Sequence, residues 1–222
     1  MEYTYKPWFK TWWGILVIFF LTLVLIFIIA IGFYINNSIK TAKKSSGVKL
    51  SGQQYDAATG EHYYWPNSAN AKITIVEFGD FACANCKKAF TTIGQIKYRD
   101  DIKFIWRDYP IVADYSALLA LSARCAGEQG LFWSMHDKLF QNQGVNTADQ
   151  LSALANQIGA DITRYNDCMT KQKHLTQIKK DLTDGQGFGI NGTPTYFING
   201  YKVEGNIPYN TFVKIIEELK NN

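Results

Sequence analysis

Ile73 to Cys86 reads ITIVEFGDFACANC. Its first six residues are a near-continuous apolar and β-branched run, the pattern of a strand buried on both faces, and one acid, Glu77, interrupts it. After Phe81-Ala82 the period changes, with Cys86, Phe90 and Ile93 at i, i+4 and i+7. A helix therefore opens at the cysteine pair, with Cys86 on its core face and Cys83 at its exposed start. The two sulfurs stand one turn apart where unpaired backbone N–H groups and the helix dipole favour negative charge, which lowers a thiol pKa. A thiolate at Cys83 would attack disulfides, and Cys86 would resolve the mixed disulfide. Glu77 reads either as a strand-edge acid paired with a Lys or, as its place inside an otherwise apolar run favours, as a buried acid with a raised pKa that relays the proton of Cys86.

Other uses of the cysteines are weaker. Structural zinc needs four N/S ligands, but Cys125 and Cys168 are isolated and His62, His136 and His174 are scattered. A c-type haem site needs His after Cys86, where Lys87 stands. No metal ligand set and no cofactor is expected, although a soft-metal carrier using the CxxC remains an alternative on chemistry. His136, in the aromatic run LFWSMHDKLF, reads as a packed, hydrogen-bonded core histidine.

Outward from this unit, Ile102 to Trp106 reads as a second strand ended by Asp108-Tyr109-Pro110. From about Ala113 to Gln186 the pattern is helical, and Thr147 to Gln150 has a capping-box start. Strand signals return at Thr195 to Ile198, followed by an Asn199-Gly200 hairpin turn, Tyr201 to Val203, and a last helix from about Pro208 to Leu219.

IVEFGDFACANC, CAGEQGLFWSMHDKLF and GTPTYFING, in that order, resemble the DsbA-like branch of the thioredoxin superfamily, closest in flavour to membrane-anchored BdbD-type proteins. The resemblance covers about Trp65 to the carboxy terminus. It implies an α/β thioredoxin fold with a helical insertion, and 108 positions separate Cys86 from Pro194, more than a plain thioredoxin needs. It further implies thiol-disulfide exchange at Cys83 and Cys86. By matching position, Pro194 is the cis-proline facing the active-site disulfide, and Thr193 before it tunes the thiol and pairs its backbone with an extended substrate. Some relatives link positions like Cys125 and Cys168 by a structural disulfide, which is the pairing expected here. The implied partners are unfolded or partly folded exported proteins and a membrane redox partner, DsbB-like or vitamin K epoxide reductase-like. Asn85 departs from the Pro-His dipeptide of the strongest oxidases and puts the direction of catalysis in doubt. A disulfide reductase or isomerase, or a non-catalytic metal-binding module, is the alternative.

At the other end, no charged side chain lies between Lys10 and Lys40, and Gly14 to Ile35 forms an apolar stretch roughly 33 Å long as a helix. Trp8, Trp12, Trp13 and Tyr34 flank it as interfacial rings. The expected organisation is a short tail at 1–13, a transmembrane signal-anchor contacting lipid at 14–35, a flexible linker at 36–65, and the DsbA-like domain at 66–222 with its insertion at about 111–187. Lys40, Lys43, Lys44 and Lys49 outweigh Glu2, Lys6 and Lys10, so the positive-inside rule argues for a cytoplasmic domain. The cysteine chemistry argues for an extracytoplasmic one.

The 222 residues suffice for one domain and an appendage without disulfide staples. A net charge of +4, not gathered into basic blocks, gives no support to a nucleic-acid-binding surface.

Overall fold

The computed structural model describes residues 12–45, 49–59, 63–65 and 71–220. The expected tail at 1–13 lies almost wholly outside them, as do Trp8, Glu2, Lys6, Lys10 and His62. The chain forms two units, Met1–Ser45 and Ser46–Asn222. In the first, helix α1 (Trp12–Ser45) contains Ile15–Phe33, a stretch of mean hydropathy 3.3 that is long and apolar enough to cross a membrane. Its large apolar side chains are exposed.

The second unit is built on a five-stranded sheet in the order β1-β3-β2-β4-β5. The strands are β1 (Tyr63–Tyr64), β2 (Ile73–Gly79), β3 (Ile102–Asp108), β4 (Thr195–Ile198) and β5 (Tyr201–Glu204). β2 and β3 are parallel and buried on both faces, as their unbroken apolar runs require, whereas β4 returns antiparallel to β2. The crossover between β2 and β3 is α3 (Ala84–Ile96), which buries Cys86, Ala89, Ile93 and Ile96. One face of the sheet places Ile73, Ile75, Phe104, Tyr196 and Ile198 against α3 and α9 (Tyr209–Lys220). The other places Val76, Phe78, Ile105 and Phe197 against Leu50, Ala58, Tyr109 and Ile190. The β4–β5 hairpin turns through Asn199 and Gly200 at φ +48° and +85°, conformations this pair tolerates, and Asn199 Oδ1 accepts from Thr74 N at 2.8 Å.

Between β3 and β4 run α4 (Ser116–Gly127), α5 (Phe132–Gln141), α6 (Ala148–Gln157), α7 (Ile162–Thr170) and α8 (Leu175–Gly187). The capping box at Thr147 and Gln150 opens α6. Cys125 on α4 and Cys168 on α7 are joined in a disulfide at the centre of a buried cluster with Tyr165, Ile178 and Leu121. This is the thioredoxin fold with a helical insertion.

Within 36–65, expected as a flexible linker, the described residues form secondary structure. α1 continues to Ser45, α2 spans Gly52–Thr59, and β1 pairs antiparallel with β3. Leu50 and Ala58 are buried, and the Tyr63 ring stacks on Phe132 with centroids 3.8 Å apart. A few apolar anchors too sparse to show a period dock this segment, so the second unit begins well before residue 66.

Candidate active site

Cys83 is the N-cap of α3, with extended φ and ψ of −77° and 122°, so its sulfur sits at the end of the helix where N–H groups lack partners. Its thiol donates to the Thr193 carbonyl oxygen at 3.3 Å. The Thr193–Pro194 peptide bond is cis, and Thr193 Oγ1 is buried with no hydrogen bond of its own. The Cys83 pKa is lowered to about 5. A hydrogen bond from the Cys86 thiol is the largest cause; Thr193 and the backbone N–H groups of Cys86 and Asn85 add to it against the cost of burial. Cys83 is not the exposed residue expected at a helix start: it is only 7% accessible, because the Thr193–Pro194 loop lies over it. Cys86, one turn inward, is pushed the other way by burial, then by its hydrogen bond to Cys83 and the charge of Glu77.

Glu77 lies mid-sheet, directly between Trp106 on β3 and Tyr196 on β4. It is buried, and burial pushes its carboxyl up to about 8, opposed chiefly by the charge of Lys97. The Tyr196 hydroxyl lies on the same face, close enough to influence Glu77 yet outside hydrogen-bond geometry. Lys97, at the end of α3, is itself buried, pairs with Asp137 at 3.1 Å and lies 4.3 Å from the centroid of the Trp65 ring.

The loop before Cys83 is fixed by residues that carried no sequence signal. The buried Asp80 carboxylate accepts from the backbone N–H groups of Ala82, Ile111 and Val112, each at 2.8 Å, tying the cysteine loop to the β3–α4 connection. Gln143, past the end of α5, donates to the carbonyl oxygens of Phe81 at 2.9 Å and Cys83 at 3.0 Å. Phe81 stacks on Trp106, and a side chain at Gly79 would overlap that indole, which is why glycine stands there. Trp106 Nε1 donates to Asp108, Asp108 pairs with Arg124 of α4, and Asp181 of α8 bridges Arg124 to Arg107. The insertion is thus locked to the sheet by buried ion pairs. Glycine and polar loop residues leave no periodicity to read, and Asp108 gave a signal only as the end of a strand.

His136 is buried in a cage of Trp106, Trp133, Phe140 and Phe81. Its Nδ1 meets Asp137 Oδ1 at 2.8 Å, its Nε2 has no hydrogen bond, and burial lowers its pKa. A cleft of about 280 Å³ borders the Thr193–Pro194 loop and is lined by Asn191, Gly192, Thr193, Glu204 and Gly205 among others. The histidines are not all scattered: away from the cysteine pair, Glu128, Cys168 and His174 bring one donor atom each within 4.8 Å of one another.

A thioredoxin family model matches residues 65–218. Among curated proteins, the chain is 32% identical over 138 residues to Na(+)/H(+) antiporter NhaA 1 of Salinispora arenicola, covering 61% of this chain and 21% of that one. It is 31% identical over 143 residues to NhaA 3 of Salinispora tropica, covering 63% and 22%. The chain therefore spans about a fifth of the length of these curated relatives. Among solved structures, α-DsbA2 of Wolbachia pipientis superposes with a TM-score of 0.69 at 24% identity, over 75% of this chain and 92% of that one. BdbD of Bacillus subtilis superposes with a TM-score of 0.66 at 22% identity, over 78% and 97%. The catalytic domain of Proteus mirabilis ScsC gives 0.67 at 19% identity, over 77% and 96%.

Proposed function

The chain belongs to the thioredoxin family, in the DsbA-like form of its fold, and from that premise we propose that it oxidises thiols of exported proteins to disulfides through Cys83 and Cys86. The observation that carries this reading is the placement of Cys83 at the N-cap of α3, against Thr193 and the cis-Pro194 loop and one turn from Cys86, an arrangement that lowers its pKa. Whatever stabilises the thiolate stabilises the reduced pair, and a pair that prefers to be reduced is an oxidant toward its substrate.

In the forward step a substrate thiolate attacks Cys83 Sγ of the Cys83–Cys86 disulfide. The new bond joins substrate to Cys83, and Cys86 leaves as a thiolate. Glu77, neutral at pH 7 with its pKa near 8, supplies the proton that the buried Cys86 sulfur needs. A second substrate thiolate then attacks the substrate sulfur of the mixed disulfide and expels Cys83, a good leaving group because its thiolate is stable. Two electrons pass to the cysteine pair and the substrate gains one disulfide.

Thr193 and Pro194 hold the substrate backbone beside Cys83, over the cleft next to them, which favours extended, unfolded chains over one sequence. α1 acts as a single-pass anchor with the catalytic unit outside the cytoplasmic membrane, against the lysine bias of its flank, and a DsbB-like or vitamin K epoxide reductase-like membrane protein reoxidises the pair. The chain with its apolar helix, in detergent, should oxidise reduced, unfolded substrate protein. Cys83→Ala should abolish turnover and Cys86→Ala should accumulate the mixed disulfide; turnover that survives Cys83→Ala rejects the assignment.

A further inference from the structure

The helical insertion holds a second cluster of donor atoms. Cys125 and Glu128 lie at and just past the end of α4, three positions apart; Cys168 is on α7, and His174 is the N-cap of α8. An oxygen of Glu128, the sulfur of Cys168 and a nitrogen of His174 all lie within 4.8 Å of one another, and His174 Nε2 meets Glu128 Oε1 at 3.0 Å. Cys125 Sγ is bonded to Cys168 Sγ, so opening the disulfide frees a second thiol next to these three donors. We propose that Cys125, Cys168, His174 and Glu128 form a tetrahedral site for a zinc-class divalent cation when the disulfide is open, so that disulfide and metal are alternative states of one locus.

Two thiolates, one imidazole and one carboxylate make a donor set suited to zinc, whose ligands sit at about 2.3 Å for sulfur and about 2.0–2.2 Å for nitrogen and oxygen. The edges of such a tetrahedron are about 3.3–3.8 Å, so the donors of Glu128, Cys168 and His174, already within 4.8 Å of one another, close on a metal by small side-chain rotations, and the freed Cys125 thiol swings in as the fourth. The sulfurs are fully buried, whereas His174 and Glu128 are 24% and 27% exposed and leave an entry path. Lys173, which lies 3.4 Å from Glu128, also pairs with Asp167 at 3.3 Å, so it keeps a partner when Glu128 turns to the metal.

The balance is explicit. A dithiol reductant gives two electrons and two protons to the Cys125–Cys168 disulfide and becomes a disulfide itself. Binding of the cation then displaces the two thiol protons and leaves two metal–sulfur bonds. For the return step the metal leaves first, and a disulfide oxidant then takes the two electrons from Cys125 and Cys168 and becomes a dithiol. None of this depends on exchange at Cys83, so it stands or falls apart from the proposed oxidase activity.

The test uses the full chain in detergent with Cys83→Ala and Cys86→Ala, so that only the second pair can bind metal. Zinc and cobalt are titrated after anaerobic reduction and removal of the reductant. The expected result is one zinc per reduced chain and none per oxidised chain, a thiolate-to-cobalt charge-transfer band, and protection of Cys125 and Cys168 from alkylation. His174→Ala, at a partly exposed position, should weaken zinc at least ~10-fold while the circular dichroism of the oxidised form stays unchanged. If opening the disulfide loosens α4 to α8, zinc should restore the helical circular dichroism and raise the unfolding temperature of the reduced form alone. No zinc binding by the reduced chain, equal binding by the oxidised chain, or affinity unchanged by both His174→Ala and Glu128→Ala would overturn the proposal.

Discussion

The Cys83 sulfur donates to the Thr193 carbonyl oxygen at 3.3 Å, a contact that joins the start of α3 to the segment leading into β4 across 110 residues of sequence. In the reduced protein the rate of Cys83 alkylation should rise with pH through a midpoint of about 5 and then level, because only the thiolate reacts. Cys86→Ala removes the largest stabiliser of that thiolate and should move the midpoint upward. A wild-type midpoint of 8 or above would mean that the site does not activate its first cysteine.

Glu77 gives stability a slope of known sign. Between the ordinary glutamate pKa of ~4.3 and about 8, the folded protein keeps a proton that the unfolded chain has released. Its favourable contribution is complete below that window and is lost as pH rises through about 8. In a Cys83→Ala/Cys86→Ala background, Glu77→Gln should stabilise by up to a few kcal/mol at pH 8.5 and by little at pH 4. Denaturant unfolding at the two pH values measures this, and equal effects at both would show that Glu77 titrates normally.

Asp181 is buried and accepts from Arg107 at 2.9 Å, Arg124 at 2.5 Å and the backbone N–H of Asp108 at 3.2 Å. Asp181→Ala removes the carboxylate shared by two buried guanidinium groups, leaving Arg124 with Asp108 and Arg107 with Asp184, and should cost about 3 kcal/mol in equilibrium unfolding. A loss below ~1 kcal/mol would place the lock between insertion and sheet elsewhere.

Asn85 stands where the strongest oxidases have an imidazole that helps hold the thiolate. The Cys83–Cys86 couple should therefore have a potential between roughly −120 and −270 mV. Asn85→His should raise it toward the upper figure, as read from equilibration with glutathione. A wild-type potential outside that interval would show that the dipeptide does not set the scale.

The architecture was legible from one place. Ile73 to Cys86 announces a buried strand running into a helix at a cysteine pair, and the later hairpin and helical block then admit few arrangements. Leu50, Ala58 and Tyr63 were missed because sparse anchors in polar sequence show no period, although together they dock two further elements. Asp80 and Gln143 were missed for a different reason. Their partners are backbone groups whose positions only the folded chain defines. The approach of His174 and Glu128 to Cys168 likewise depends on how α4, α7 and α8 pack, which spacing along the chain does not encode.

The most direct test of the oxidase reading is the resting redox state of Cys83 and Cys86 in the cells that make the protein, fixed by acid quenching and read by thiol trapping. A membrane-impermeant reagent run in parallel reports which side of the membrane the pair faces. The account predicts a pair that is mostly disulfide and, once reduced, is reached by the impermeant reagent. A pair that is mostly dithiol would contradict it and point to a reductase or isomerase fed by an electron donor.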